Sequence, residues 1–275
     1  MSENNLCAIV IPIYKEILNE YEICSLQQCV SVLTKYPIYL VTYKELSAVT
    51  YNGIFLSYNV SVNFEYFDKE YFKDLSGYNN LMMKKEFYDR FTNYKNILIY
   101  QLDCFVFRDV LESWCNRGYD YIGAPWFDDN LSHEEGANLW AVGNGGFSLR
   151  KISAFRNLFV TSKNLFGLKQ LSRKMKLNHK GFLWLLKVWI FGYENNFKFL
   201  LSEWTDAEDL FYCLRLSETK LKLKVPELKD AIDFAFEQSP GYLFELNNNT
   251  LPFGCHAWNR YETNSFWREY IPIKS

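Results

Sequence analysis

Asn96-Ile-Leu-Ile-Tyr-Gln-Leu-Asp103 is a short apolar run that closes on a lone carboxylate, and Cys104-Phe-Val-Phe107 follows at once. Such a run predicts a strand buried in a sheet. In open α/β sheets, ligands collect beyond the carboxyl ends of the strands, so an acid there predicts a substrate crevice. The same Asp103 would equally serve to cap a following helix. Working outward, Leu6-Cys-Ala-Ile-Val-Ile-Pro-Ile-Tyr14 predicts a first central strand, Leu18–Leu33 carries apolar positions at helical spacing, and Ile38-Tyr-Leu-Val-Thr42 predicts a second strand. Strand, helix and strand at that separation form a βαβ unit and imply a parallel sheet. Val60–Phe67 alternates as a strand does, and Tyr78–Phe91 has helical periodicity. Tyr119–Gly123 and Ala141-Val142 with Phe147–Leu149 supply further strands, and Ala207–Leu216 a helix. With no repeat, low-complexity tract or Pro/Gly linker, the expectation is one α/β domain over 1–275.

Composition narrows the function. Hydrophobic residues at 49% of 275 are ample for such a core, and the 19% aromatic share adds faces that stack on bases and sugar rings as well as filling volume. A net charge of −2 argues against a polyanion-binding surface, so no nucleic acid partner is expected. Met1-Ser-Glu-Asn-Asn carries no basic leader, and no apolar stretch reaches the roughly 18 residues of a spanning helix. Seven scattered cysteines without a CxxC pair predict reduced thiols, and a cytoplasmic location follows. One segment departs from the rest. Between 163 and 198, eight basic residues face the single acid Glu194, a formal +7 that leaves −9 for the remainder. Inside it lies Phe182-Leu-Trp-Leu-Leu-Lys-Val-Trp-Ile-Phe191. Basic residues beside a Trp/Phe/Leu-rich stretch suit peripheral membrane contact; a solvated helix followed by a core helix is the other reading.

Four further points carry chemistry. Gly143-Asn144-Gly145-Gly146, ahead of an apolar strand, lets the backbone pass close to a ligand, or makes an ordinary hairpin turn. It lacks the GxxxxGK[ST] spacing of a phosphate loop. Glu208-Asp209 opens a predicted helix, where acids are favoured by the helix dipole or serve as a base. His256, in Phe253-Gly-Cys-His-Ala-Trp258, has an apolar setting that suits a ligand or a packing residue, unlike His133 in the acidic stretch Asp128–Glu135 and His179 in the basic segment. Trp126, Trp140 and Trp258 offer stacking faces or core volume, and Phe127–Trp140 has the composition of a lid.

Taken together, Gln101-Leu-Asp103, Tyr121-Ile-Gly-Ala-Pro-Trp126, Gly143–Arg150, Glu208-Asp209 and Phe253–Trp258 resemble a bacterial glycosyltransferase-like family, once a domain of unknown function, found in surface-polysaccharide gene clusters. More distantly the chain resembles GT-A glycosyltransferases, over roughly Leu6 to Trp258. The resemblance implies a GT-A-like, mostly parallel twisted sheet flanked by helices, with 163–198 as a basic, aromatic insertion. It implies transfer of a hexose-type sugar from a nucleotide-diphosphate-sugar donor, UDP favoured, to a glycan or lipid-linked acceptor at the inner face of the cell membrane. GT-A enzymes hold a divalent cation with Asp-x-Asp. Here the second acid is absent, so Asp103, His256 and Gln101 are the implied ligands for Mn²⁺ or Mg²⁺. Pro12, Tyr14, Lys15, Tyr78, Asn79, Lys84 and Asp103 are the implied donor-binding residues, with Lys85 a further candidate cation. Trp126, Asn144, Gly145 and Gly146 are assigned to the acceptor. By likeness to inverting families, Asp209 is the implied base and Glu208 an acceptor-binding acid. Two rivals stand: a sugar nucleotidyltransferase, against which the glycine-free Tyr14-Lys15-Glu16-Ile17 counts, and a non-catalytic glycan- or nucleotide-binding protein on a degenerate scaffold.

Overall fold

The computed structural model describes residues 5–128, 137–162, 164–177, 179 and 181–272. Its strands are β1 (Cys7–Pro12), β2 (Ile38–Thr42), β3 (Val62–Tyr66), β4 (Asn96–Tyr100), β5 (Phe105–Val106), β6 (Tyr121–Ile122), β7 (Pro125–Phe127), β8 (Leu139–Val142), β9 (Phe147–Lys151), β10 (Ala235–Phe236) and β11 (Gly254–Cys255). The main sheet runs β3-β2-β1-β4-β9-β6. β1 to β4 pair in parallel, while β9 lies antiparallel to both β4 and β6. The architecture is therefore the mixed, mostly parallel α/β sheet expected.

β1 and β4 are buried at every position, as near-continuous apolar runs are when helices cover both faces of a sheet. Alternate residues serve opposite faces. Cys7, Ile9 and Ile11 pack with Leu26, Cys29 and Val30 of the helix Glu20–Val32, while Ala8 and Val10 pack toward Leu81, Met82, Phe87 and Phe155. Each Ile, Val, Leu, Met or Phe among them contributes roughly 1.5–3 kcal/mol by leaving water. Asn19 starts the Glu20–Val32 helix through a capping box: its side chain accepts from the Glu22 amide at 3.0 Å, and Glu22 accepts from the Asn19 amide at 2.9 Å. None of the seven cysteines forms a disulfide.

Three elements differ from the sequence expectation. The helix read at Tyr78–Phe91 is two helices, Leu75–Met82 and Lys85–Asp89. It breaks because the Met82 carbonyl accepts from the Tyr88 and Tyr212 hydroxyls, at 2.8 and 3.1 Å. The helix read at Ala207–Leu216 is one α-turn, Glu208–Leu210, running into a π-helix over Phe211–Arg215; such wide turns gather at functional sites. Third, residues 143–146 are not a hairpin turn. β8 pairs with β7 in a separate two-stranded sheet, and β9 belongs to the main sheet, so the glycine segment crosses between sheets.

Candidate functional site

β1 has β2 on one side and β4 on the other, so the connections leaving these strands diverge. A crevice opens where they part. It measures about 360 Å³, and its floor is Pro12 at the end of β1 and Tyr14 beyond it, with Gln101, Leu102 and Asp103 after β4. Tyr71–Leu75 and Tyr78 form one wall, and Asn259 and Arg260 another. Asp103 does not end the strand itself. β4 stops at Tyr100, the Cys104 amide turns back to the Gln101 carbonyl at 3.0 Å, and the chain departs into β5.

That departure builds the acid's surroundings. β11 pairs antiparallel with β5, Cys255 opposite Phe105, which carries His256 alongside Asp103. β10 pairs in parallel with β11, Phe236 opposite Cys255, so Glu237 reaches His256 from the other flank. Nδ1 of His256 lies 2.8 Å from Glu237 Oε1, and its Nε2 lies 3.3 Å from both Asp103 Oδ1 and Gln101 Oε1. Arg260 Nη2 stands 3.3 Å from Asp103 Oδ2. Burial works against charge on the imidazole, but the hydrogen bonds and charges of Asp103 and Glu237 win and lift its pKa to about 10. Burial likewise opposes the Asp103 carboxylate, yet His256 and Arg260 hold it below the ordinary aspartate range.

Asp103, Cys104 and His256 have ligand atoms within 4.8 Å of one another. Cys104 is a poor ligand here: its Sγ donates to the Gly146 carbonyl at 3.2 Å, and burial pushes the thiol well up. Gln101 Oε1 is the better third donor. A carboxylate oxygen, an imidazole nitrogen and an amide oxygen fit a Mn²⁺-type ion. Glu237 on Nδ1 would orient the ring with Nε2 facing it, as carboxylates do behind metal-bound histidines.

The glycine segment passes between this cluster and the acidic pair. A Cβ on Gly146 would lie 2.1 Å from His256 Nε2 and 2.7 Å from Gln101 Oε1, and one on Gly145 would lie 2.4 Å from Glu208 Oε1. The glycines are thus required by protein side chains, while Asn144 alone takes the left-handed turn, at φ 78°. Asn144 points inward: its Oδ1 accepts from the Gly146 and Phe147 amides at 3.1 Å, and its buried Nδ2 has no partner among the described residues. The Tyr78 hydroxyl, on the cleft wall, donates to the Gly145 carbonyl at 3.2 Å.

Glu208 and Asp209 part company. Glu208 is 1% exposed and pairs through both oxygens with Arg150, itself 0% exposed, at 2.6 and 3.2 Å. Arg150 also donates to Ser148 Oγ and the Tyr88 hydroxyl. Burial raises the Glu208 carboxyl to about 7, with Arg150 pulling the other way. Asp209 accepts from the Gly145 amide at 2.8 Å and the Leu210 amide at 2.9 Å; burial outweighs both and raises its pKa.

Of the residues singled out in the sequence, Pro12, Tyr14, Tyr78, Gln101 and Asp103 meet at the cleft, with His256 behind them. Lys15 is beside it, paired at 2.6 Å with Glu22 of the cleft wall. Asn79 accepts from the Glu208 amide at 3.5 Å, Lys84 is exposed at the break between the two helices, and Lys85 pairs with Asp89. Trp126 covers Gly143, where a Cβ would fall 1.8 Å from its ring, and Trp140 is exposed. Trp258 is fully buried, its Nε1 on Ser25 Oγ at 3.0 Å, so it is a core residue and offers no stacking face. His133 and most of the lid-like stretch, 129–136, lie outside the described residues. Sequence reasoning missed Glu237, Arg150 and Arg260. Glu237 did carry a faint signal: like Asp103, it follows directly on apolar residues, here the three of Phe234-Ala-Phe236.

A family model described as protein of unknown function (DUF5672) matches residues 61–256, which include β3 to β11, Asp103, Asp209 and His256. The chain belongs to that family. No curated protein matches the sequence of this DUF5672 member. Among solved structures it is similar to the galactosyltransferase LgtC, both in complex with donor and acceptor sugar analogs (10% identity, 95% of this chain and 93% of that one, TM-score 0.51) and as an active-site mutant (13% identity, 95% and 93%, TM-score 0.52). It also matches the glycosyltransferase GlyE of Streptococcus pneumoniae at 11% identity and TM-score 0.49, covering 98% of this chain and spanning 61% of GlyE. At such identities the LgtC likeness shows the fold, which is that of GT-A glycosyltransferases.

Proposed function

We propose that this DUF5672 protein transfers a sugar from a nucleotide-diphosphate-sugar, a UDP-sugar first among candidates, to a glycan or lipid-linked acceptor. The observation that carries this reading is the convergence of Asp103, Gln101 and His256 at a cleft opening at the switch between β1 and β4. A nucleotide would lie across Pro12 and Tyr14, against Tyr71 and Tyr78, with its diphosphate toward Asp103. A divalent cation held by Asp103, His256 and Gln101 would supply a positive centre for the charge that grows on the departing diphosphate. Arg260, on the cleft wall, adds a guanidinium toward the same charge.

Asp209 is the group we assign to take the acceptor proton. Burial makes it a stronger base than an ordinary aspartate, and the Gly145 amide fixes the carboxylate. Glu208 is assigned a different task from the acceptor contact implied at the sequence level: paired with Arg150, it positions Asp209 and the glycine segment. Trp126, Asn144, Gly145 and Gly146 remain our acceptor-side assignments, and inverting chemistry within bacterial surface-polysaccharide synthesis is the context we favour.

The test is donor hydrolysis by the purified protein across UDP-, GDP-, CMP- and dTDP-sugars with Mn²⁺, Mg²⁺ or EDTA, beside Asp103→Ala. Slow release of one nucleotide, lost in EDTA and in the variant, is the expected result. Release that persists in EDTA removes the cation and leaves the transferase. A second reading, a nucleotide-binding protein without turnover, is favoured by the missing second carboxylate beside Asp103. Thermal stabilisation by a nucleoside diphosphate with no hydrolysis or transfer would select it.

A further inference from the structure

The helix Phe182–Ile190 is apolar on the side it buries and on the side it does not. Leu185 and Val188 face the core. Phe182, Leu183, Leu186 and Ile190 fall within roughly 100° of arc on the other side, and Phe182 and Leu183 are 66% and 76% exposed. Phe191, just beyond the helix, is 79% exposed, and Leu177 in the preceding helix is exposed as well. A surface helix of a globular protein ordinarily turns charged residues outward, and contiguous exposed apolar surface marks a contact site.

The neighbouring helix, Leu168–Leu177, packs against this one and provides the second observation. It buries Leu171 and presents Lys169, Arg173 and Lys176 to solvent at three- and four-residue intervals, one stripe of positive charge. Lys187 lies beside the apolar face of Phe182–Ile190 and is exposed too. None of these four cations has an ion-pair partner among the described residues. A purely polar partner would leave the apolar side chains uncovered, and a purely apolar one would leave the cations without counter-charge. A surface that is anionic at its boundary and apolar just beneath satisfies both.

We infer that the helices Leu168–Leu177 and Phe182–Ile190 dock on an anionic lipid surface, the basic stripe on the headgroups and Phe182, Leu183, Ile190 and Phe191 between the acyl chains. No helix among the described residues is long and apolar enough to cross a membrane, so the contact is interfacial. The inference does not depend on the glycosyl-transfer reading, since no residue of the cleft takes part in it.

Co-sedimentation of the full chain with phosphatidylcholine vesicles, with and without phosphatidylglycerol, tests it. Binding is expected only to the anionic vesicles, weakening with salt. Leu183→Asp/Ile190→Asp and Lys169→Glu/Arg173→Glu are each expected to lose about tenfold or more in vesicle affinity. Their substitutions are at exposed positions, so unchanged thermal midpoints and an unchanged circular dichroism spectrum are the controls for an intact fold. No binding to anionic vesicles, equal binding to both vesicle types, or full binding by either variant overturns the proposal. So does a concentration-dependent dimer in sedimentation that Leu183→Asp/Ile190→Asp dissolves, because it would assign the face to a second copy of the chain.

Discussion

Replacing Glu208 by Leu separates a structural acid from an acceptor-binding one. At an effective dielectric constant of about 20, unit charges 2.6 Å apart attract by about 6 kcal/mol. Forming the pair costs desolvation of two ions, so that figure is gross. Removing one partner strands the other: Arg150, with no exposed surface, keeps only neutral acceptors in Ser148, Tyr88 and the Gly145 carbonyl. Stranding a buried charge in this way costs about 3–5 kcal/mol. For a chain of this size that is a fall of roughly 5–9 °C in thermal midpoint. Adding Arg150→Met should restore most of the loss. Tyr88 then keeps the Met82 carbonyl, and Ser148 keeps the Gly145 carbonyl, so few polar groups are left unsatisfied. Urea unfolding of the wild type, Glu208→Leu and the double variant reads all three values. A single variant that loses less than about 1 kcal/mol, or a double variant no more stable than the single, refutes the argument. It would return Glu208 to the acceptor.

Gly146→Ala should move His256 and Gln101, because the new methyl would overlap both; a loss of about 1–3 kcal/mol in urea unfolding is expected, together with weaker Mn²⁺ binding by calorimetry. Glu237→Gln keeps the hydrogen bond but not the charge behind His256, and should weaken Mn²⁺ affinity by about tenfold or more while the fold persists. In EDTA, His256 has a folded pKa near 10 against 6.5 unfolded. Its contribution to stability is therefore complete below pH 6.5 and lost as pH rises through about 10. Urea midpoints should fall across that window in the wild type, and the slope should flatten in His256→Gln.

The apolar runs at β1, β2 and β4 made the parallel sheet legible from the sequence, because burial on both faces requires side chains without charge. Asp103 at the end of such a run was legible for the same reason. Helix breaks were not: at the split after Met82 its carbonyl accepts from Tyr88 six residues on and from Tyr212 130 residues on, and the π-turn at Phe211–Arg215 carries that second hydroxyl. Gly145 and Gly146 announced a close approach, but only the packed structure shows that Asp209, Glu208 and His256 are what approaches.

The distribution of polar and apolar residues, taken alone, determined the sheet, its crevice-facing acid and the unusual basic and aromatic segment. These depend on period and composition, which are local. Which acids and bases meet was decided by strand register and by packing in the core. Two-residue strands at Phe105, Ala235 and Gly254 set Glu237, His256 and Asp103 in one line, and Arg150 chose Glu208 over solvent in the core. Such short strands carry no periodicity of their own, and partners from 19 to 155 residues apart are brought together only as the whole chain packs.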